Sequence, residues 1–177
     1  AVDTVREDYA TTKEGIIKQL KGELEELGLR RPAPSKLGKY FSKGVPFKAF
    51  IDVFNGICDV TGFASGLFKD RADLVTHKCE DKEEFFTRVT VCCDAFQRRR
   101  QKLWDVQDLI KSGMSTATEA GIFNAIKLLL CVTRAGEECK GGRNEQRNKD
   151  AWEKASNRSW LEARPEEDED TEEEVDD

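Results

Sequence analysis

Few residues in this chain have the type and spacing to do chemistry. His77 is the single histidine in 177 residues, and it stands two positions before Cys79 in Thr76-His77-Lys78-Cys79. An imidazole that close to a thiol could take its proton and leave a nucleophilic thiolate. Such a pair also arises readily by chance, so an ordinary surface histidine is the expectation. Asp59, Asp70 and Asp73 fall in or beside apolar stretches, where ionisation would be perturbed. Solvated helix faces and caps are the plainer account of them. There is no Gly-x-Ser-x-Gly, no phosphate loop, no GxGxxG after a strand and no His-Glu-x-x-His. No catalytic residue and no cofactor is therefore nominated, and an enzyme ranks third among the readings.

Cys58, Cys79, Cys92, Cys93, Cys131 and Cys139 are even in number but include no Cys-x-x-Cys. With one histidine in the chain, that argues against a structural zinc site. Adjacent Cys92 and Cys93 cannot easily bridge each other. The expectation is buried, reduced thiols acting as small apolar side chains, with an oxidised form the minority reading.

Charge is divided unevenly. Ten carboxylates lie between Glu166 and Asp177, and without them 29 Lys and Arg stand against 25 Asp and Glu, a balance of +4 in place of the overall −6. The body is mildly basic and the tail intensely acidic. Such a tail attracts basic surfaces through forces that salt weakens, the partner being another protein, a loosely held cation or the chain's own body. Arg98, Arg99, Arg100 and Lys102 beside Trp104 form a basic patch that could meet phosphate on nucleic acid or lipid. Asp94, Asp105 and Asp108 blunt its field, so a solvated helix face is expected and nucleic acid is not. Lys149, Lys154, Arg158 and Arg164 with Trp152 and Trp160 could similarly lie on a partner or a membrane interface, or close the core as a terminal helix.

Positioning these residues falls to helices. The chain is long enough for one ordinary self-supporting domain, its four prolines are sparse, and Leu, Ile, Lys, Glu, Ala and Gln recur at helical spacing. Thr4-x-x-Glu7 has the form of a capping box. It would open a first helix with Tyr9, Ile16, Leu20, Leu24 and Leu27 on one face and Gly28 as its stop. Ser35 to Tyr40 makes room for a single turn. Phe47, Phe50, Ile51, Phe54, Ile57 and Cys58 then form an apolar stripe, with Pro46 at its head and a bend or loop near Thr61 to Gly66. Asp81-x-x-Glu84 would begin a long helix through Phe86, Val89, Cys93, Phe96, Leu103 and Ile110 to Gly113. Thr116-x-x-Glu119 would begin another through Ile122 to Val132, ending by Gly136 or Gly141.

No apolar run approaches the ~18 residues of a membrane span; the best, Ile122 to Val132, is short and contains Lys127. The chain opens at Ala1, which leaves a removed targeting segment open, and with it the choice between cytosol and organelle.

Two segments bear a partial resemblance to a known family. Leu128-Leu129-Leu130-Cys131-Val132-Thr133-Arg134-Ala135 resembles one helix of the glycolipid-transfer family, and Asp150-Ala151-Trp152-Glu153 to Trp160 resembles a later one. Together they cover under a quarter of the chain. Ser159 stands where that family has its head-group histidine, and no room is left for its closing helices, so membership is not assigned. The resemblance implies only that a lipid pocket inside an all-helical fold stays open.

The expected architecture is all-α, a bundle of four or five helices over 1–142, a polar amphipathic terminal helix over 143–164 and a disordered acidic tail over 165–177. The expected function is a non-catalytic interaction or structural subunit of a larger protein assembly. Its candidate contact residues are Phe47, Phe50, Phe54, Phe63, Phe68, Trp152 and Trp160. The alternative is a small helical carrier of lipid or another hydrophobic ligand, with the same phenylalanines lining a pocket.

Overall fold

A computed structural model describes residues 8–71, 79–96, 106–114 and 117–157. Thr4 and Glu7, Asp73, His77, the Arg98, Arg99, Arg100 and Lys102 patch, Trp104, Trp160 and the acidic tail lie outside the described residues. The described chain is all-helical. It contains α1 (Lys13–Leu27), α2 (Leu37–Phe41), α3 (Phe47–Thr61), α4 (Cys79–Asp94), α5 (Val106–Lys111), α6 (Glu119–Cys139) and α7 (Glu145–Ser156), with two short 3-10 turns. Five of these are long and two are single turns, which matches a bundle of four or five substantial helices.

The first helix starts later than the threonine pattern predicts. Thr12, not Thr4, is its cap, its Oγ1 accepting the Gly15 N–H at 3.0 Å. Upstream, the Gln19 side chain donates to the Asp8 carbonyl at 3.0 Å and accepts the Ala10 N–H at 2.8 Å. Those bonds fold residues 8–10 back along the helix and take Tyr9 off its apolar face. Gly28 ends α1 as expected, in the left-handed region at φ 93°. Its N–H and that of Leu29 both reach the Leu24 carbonyl, closing the last turn.

The apolar stripe of α3 faces inward, with Phe47, Phe50, Val53, Phe54 and Ile57 buried. Gly62 stops the helix at φ 81°, within the expected bend. The long helix predicted from Asp81 to Gly113 is two elements, α4 and α5. The apolar period does run on to Phe96, but Phe96 lies in a turn whose N–H meets the Cys93 carbonyl at 2.9 Å. Arg147 of α7 then donates to the Ala95 carbonyl at 3.2 Å. A side chain from 52 residues away thus satisfies backbone that further helix would otherwise have used.

At the centre, α6 is capped by Thr118, two residues after the expected Thr116, through a 3.0 Å bond from the Gly121 N–H. Every residue from Leu128 to Gly136 is buried, the signature of a helix enclosed on all sides. It packs against α1, α3, α4 and α5. Gly136 permits the α3 crossing: a β-carbon there would press on Thr61 and Ile57 at 3.0–3.1 Å. Polar as it is, α7 docks on α4, with Ala151 and Ala155 buried.

Candidate functional site

Four of the five candidate phenylalanines converge on Phe85, and Phe63 packs on Phe96. Phe47, Phe50 and Phe54 of α3 lie 5.3, 6.0 and 5.5 Å from the Phe85 ring of α4, each edge to face. Phe50 is also 4.9 Å from Phe86. Phe63 meets Phe96 at 5.7 Å, and Phe68 stacks on Phe85 at 5.2 Å. Offset and edge contacts of this kind each contribute about 0.5–1.5 kcal/mol beyond the area they bury. Phe47, Phe50, Phe54 and Phe63 are buried, whereas Phe68 and Trp152 are half-buried. Trp152 lies against Gly66.

Beside the ring cluster, Arg88 is one of the two largest fully buried side chains among the described residues, with Arg134 the other. Its Nε and Nη2 donate to Glu84 Oε2 at 3.1 and 2.8 Å. Its Nη1 donates to the Leu67 carbonyl at 2.8 Å and to Asp70 Oδ1 at 2.9 Å, and its Nη2 to Asp70 Oδ2 at 3.2 Å. Five bonds match the five N–H groups of a guanidinium. Arg71 adds ion pairs to Asp81 and Glu84 at 3.6 and 3.5 Å. Of the three aspartates singled out by sequence, Asp70 belongs to this cluster. The Arg88 hydrogen bonds hold its carboxyl below the usual range, so near neutral pH it is an ionised clamp and no proton donor. Asp59 is exposed near the end of α3.

A second buried guanidinium went unnoticed in the sequence. Arg134 of α6 donates from Nε and Nη2 to Glu23 of α1 at 3.0 and 2.8 Å, with Asp8 3.6 Å away. Tyr9 covers it, the guanidinium 4.7 Å from the ring centre and Lys127 Nζ also at 4.7 Å. The Tyr9 hydroxyl meets Cys131 Sγ at 3.2 Å. Burial, reinforced by Cys131, pushes the Tyr9 hydroxyl far above its ordinary pKa. The signal was present: Glu23 stands between Leu20 and Leu24 and Arg134 follows Leu130, opposite charges in core register on two helices.

Cys58, Cys92, Cys93, Cys131 and Cys139 are unbridged, and all but Cys58 are buried. Burial raises the pKa of Cys58, Cys92 and Cys93 well above the thiol range and moves Cys139 up to about 11. A thiol so shifted carries almost no thiolate at neutral pH and is a poor nucleophile. Among the described residues no three His, Cys, Asp or Glu side chains are grouped to hold a metal ion, and no helix is long and apolar enough to cross a membrane.

On the surface, the stretch that follows α1 is basic throughout. Between Glu26 and Asp52 the chain has no carboxylate, while Arg30, Arg31, Lys36, Lys39, Lys43 and Lys48 are all exposed. A window count of charge would have found it. Comparison with protein-family models, with curated proteins and with solved structures gives no match.

Proposed function

We propose that this chain is a non-catalytic helical interaction subunit that contacts its partners through exposed faces. The observation that carries the reading is the engagement of its chemistry-bearing groups in internal structure. Both buried guanidinium groups are tied to carboxylates, at 2.8 Å from Arg88 to Glu84 and from Arg134 to Glu23. The thiols of Cys58, Cys92, Cys93 and Cys139 are held protonated. The ring stripe fills the space between α3 and α4, with centroids about as close as packed rings come. That filling favours a packed core over a ligand-lined pocket, and so an interaction module over a carrier. Phe68 and Trp152, each half-buried, are the members of the aromatic set best placed to extend a contact outward.

Native mass spectrometry on the protein gently isolated from its source tests the reading. Co-purifying protein subunits are expected. A monomer carrying a defined lipid mass would overturn it in favour of a carrier, and a bare monomer under the same conditions would also count against it. The acidic tail is proposed to strengthen partner binding electrostatically. Truncation at Pro165 should then weaken that binding at low salt, and unchanged affinity would remove the tail from the contact.

A further inference from the structure

The carboxylate-free segment after α1 carries a concentration of exposed positive charge. Leu37 and Phe41 of α2 are fully buried. Lys39 and Tyr40 lie in this helical turn, Lys36 just before it and Lys43 two residues after it, and all four are exposed. Gly38, Lys39 and Tyr40 are exposed in succession, as are Ser42 and Lys43, so the turn offers its polar residues to solvent. Tyr40 is among the few large apolar side chains exposed in the described chain, at 42%. Arg30 and Arg31 precede the turn and Lys48 follows it, all three exposed. No ion pair joins any of the six cations to a carboxylate among the described residues. The turn is firmly mounted, since Lys13 Nζ donates to the Ser42 carbonyl at 3.0 Å and the Val45 N–H to the Ser112 carbonyl at 2.8 Å.

We infer that this exposed basic segment, with Arg30, Arg31, Lys36, Lys39, Tyr40, Lys43 and Lys48, docks the protein on an anionic lipid bilayer surface. The inference rests on the reading of the chain as an interaction module and names one of its partners. Four of the six cations are lysines, compact point charges on flexible stems that lack the bidentate fork used to read a particular phosphate or carboxylate. Lysine clusters of this size suit the diffuse negative potential of acidic headgroups. A peptide partner would be gripped by a groove or by alternating pockets, whereas these cations stand at exposed positions of a short turn and its flanks. An exposed tyrosine between lysines matches the interfacial layer, where an aromatic ring can enter the headgroup region with its hydroxyl in water.

Flotation of the full-length protein with vesicles tests this, using phosphatidylcholine alone against phosphatidylcholine with about a third phosphatidylserine. Binding is expected only to the anionic vesicles, and it should be lost near 1 M salt, where the screening length falls to about 3 Å. The triple variant Lys36→Gln/Lys39→Gln/Lys43→Gln should lower the partition coefficient about a hundredfold, and Tyr40→Ala should lower it less. All four side chains are exposed, and an unchanged circular dichroism melt would show that the fold is intact. Failure of the wild type to float with anionic vesicles at low salt overturns the inference, as does equal binding by the triple variant. Loss of vesicle binding together with lysine-dependent capture of a polyglutamate peptide would assign the face to an acidic protein segment. Native mass spectrometry of the isolated complex reads the interaction-subunit proposal separately, so either conclusion can fail alone.

Discussion

The indole of Trp152 lies so close over Gly66 that a β-carbon on Gly66 would collide with its Nε1 and Cε2. This contact joins α7 to the loop after α3, where three hydrogen bonds among the described residues accompany it. Asn148 accepts the Ala64 N–H and donates to the Gly62 carbonyl, each at 2.9 Å, and the Ser156 hydroxyl donates to the Leu67 carbonyl at 3.1 Å. A helix polar in composition is thereby fixed by a few directional contacts where a broad apolar face is lacking.

Gly66→Ala should cost about 1–3 kcal/mol, the usual range for overpacking, read as a lower urea midpoint with an unchanged slope. The loss should largely disappear in a Trp152→Ala background, because the clash then has no partner. Equal losses in both backgrounds would mean that the glycine matters for its backbone alone.

Removing Arg88 takes two charged hydrogen bonds from a buried carboxylate. Glu84 is buried and takes two of the arginine's bonds, so Arg88→Met should destabilise by about 3 kcal/mol or more. The double variant Glu84→Gln/Arg88→Met should recover a good part of that, since no uncompensated charge remains. Denaturant melts of the four proteins measure the coupling, and additive losses would contradict the clamp.

Asp70 makes part of the stability acid-sensitive. Its folded carboxyl is held below the ordinary 3.8 by the Arg88 hydrogen bonds. Its contribution is therefore fully present above the unfolded value and is lost as pH falls through the lower folded one. Between pH 5 and pH 2.5, wild type should lose more stability than Asp70→Asn does. Parallel curves for the two proteins would rule out Asp70 as a pH-linked group.

Local signals in the sequence carried the helices well and the long-range contacts poorly. The period of Phe47, Phe50, Phe54 and Ile57 located α3 and its buried side, because burial acts on consecutive turns of one helix. Gly28 located the end of α1 because few other residues adopt its backbone angles without strain. The start of α1 was misplaced because Thr4 and Thr12 both offer a capping hydroxyl, and the Gln19 bonds to residues 8 and 10 leave no mark in the pattern. After α4, the Ala95 carbonyl is met by Arg147 from 52 positions away, and the Arg134 clamp on Glu23 spans 111 positions. Such pairs become legible only when the helices are brought together. The basic face was hidden for a different reason: a whole-chain net charge of −6 averages it against the acidic tail.

The thiols give a prediction that reads the core directly. Raised pKa values mean that Cys58, Cys92, Cys93 and Cys139 stay protonated in the native state when exposed thiols ionise. For Cys139, at about 11, the thiolate fraction at pH 8 is about a hundredth or less of that of a free cysteine. Brief iodoacetamide labelling at pH 8, followed by peptide mapping, should leave these four positions unmodified in native protein and label them in urea. The same shift has a sign for stability. The unfolded chain releases these protons near the ordinary 9.0 and the folded chain does not, so stability is full below pH 9 and declines as pH rises past it. Replacing Cys92 and Cys93 by Ala and Val should flatten that decline between pH 8.5 and 10.5. Rapid native labelling, or a decline unchanged by the replacement, would place the thiols outside the packed interior.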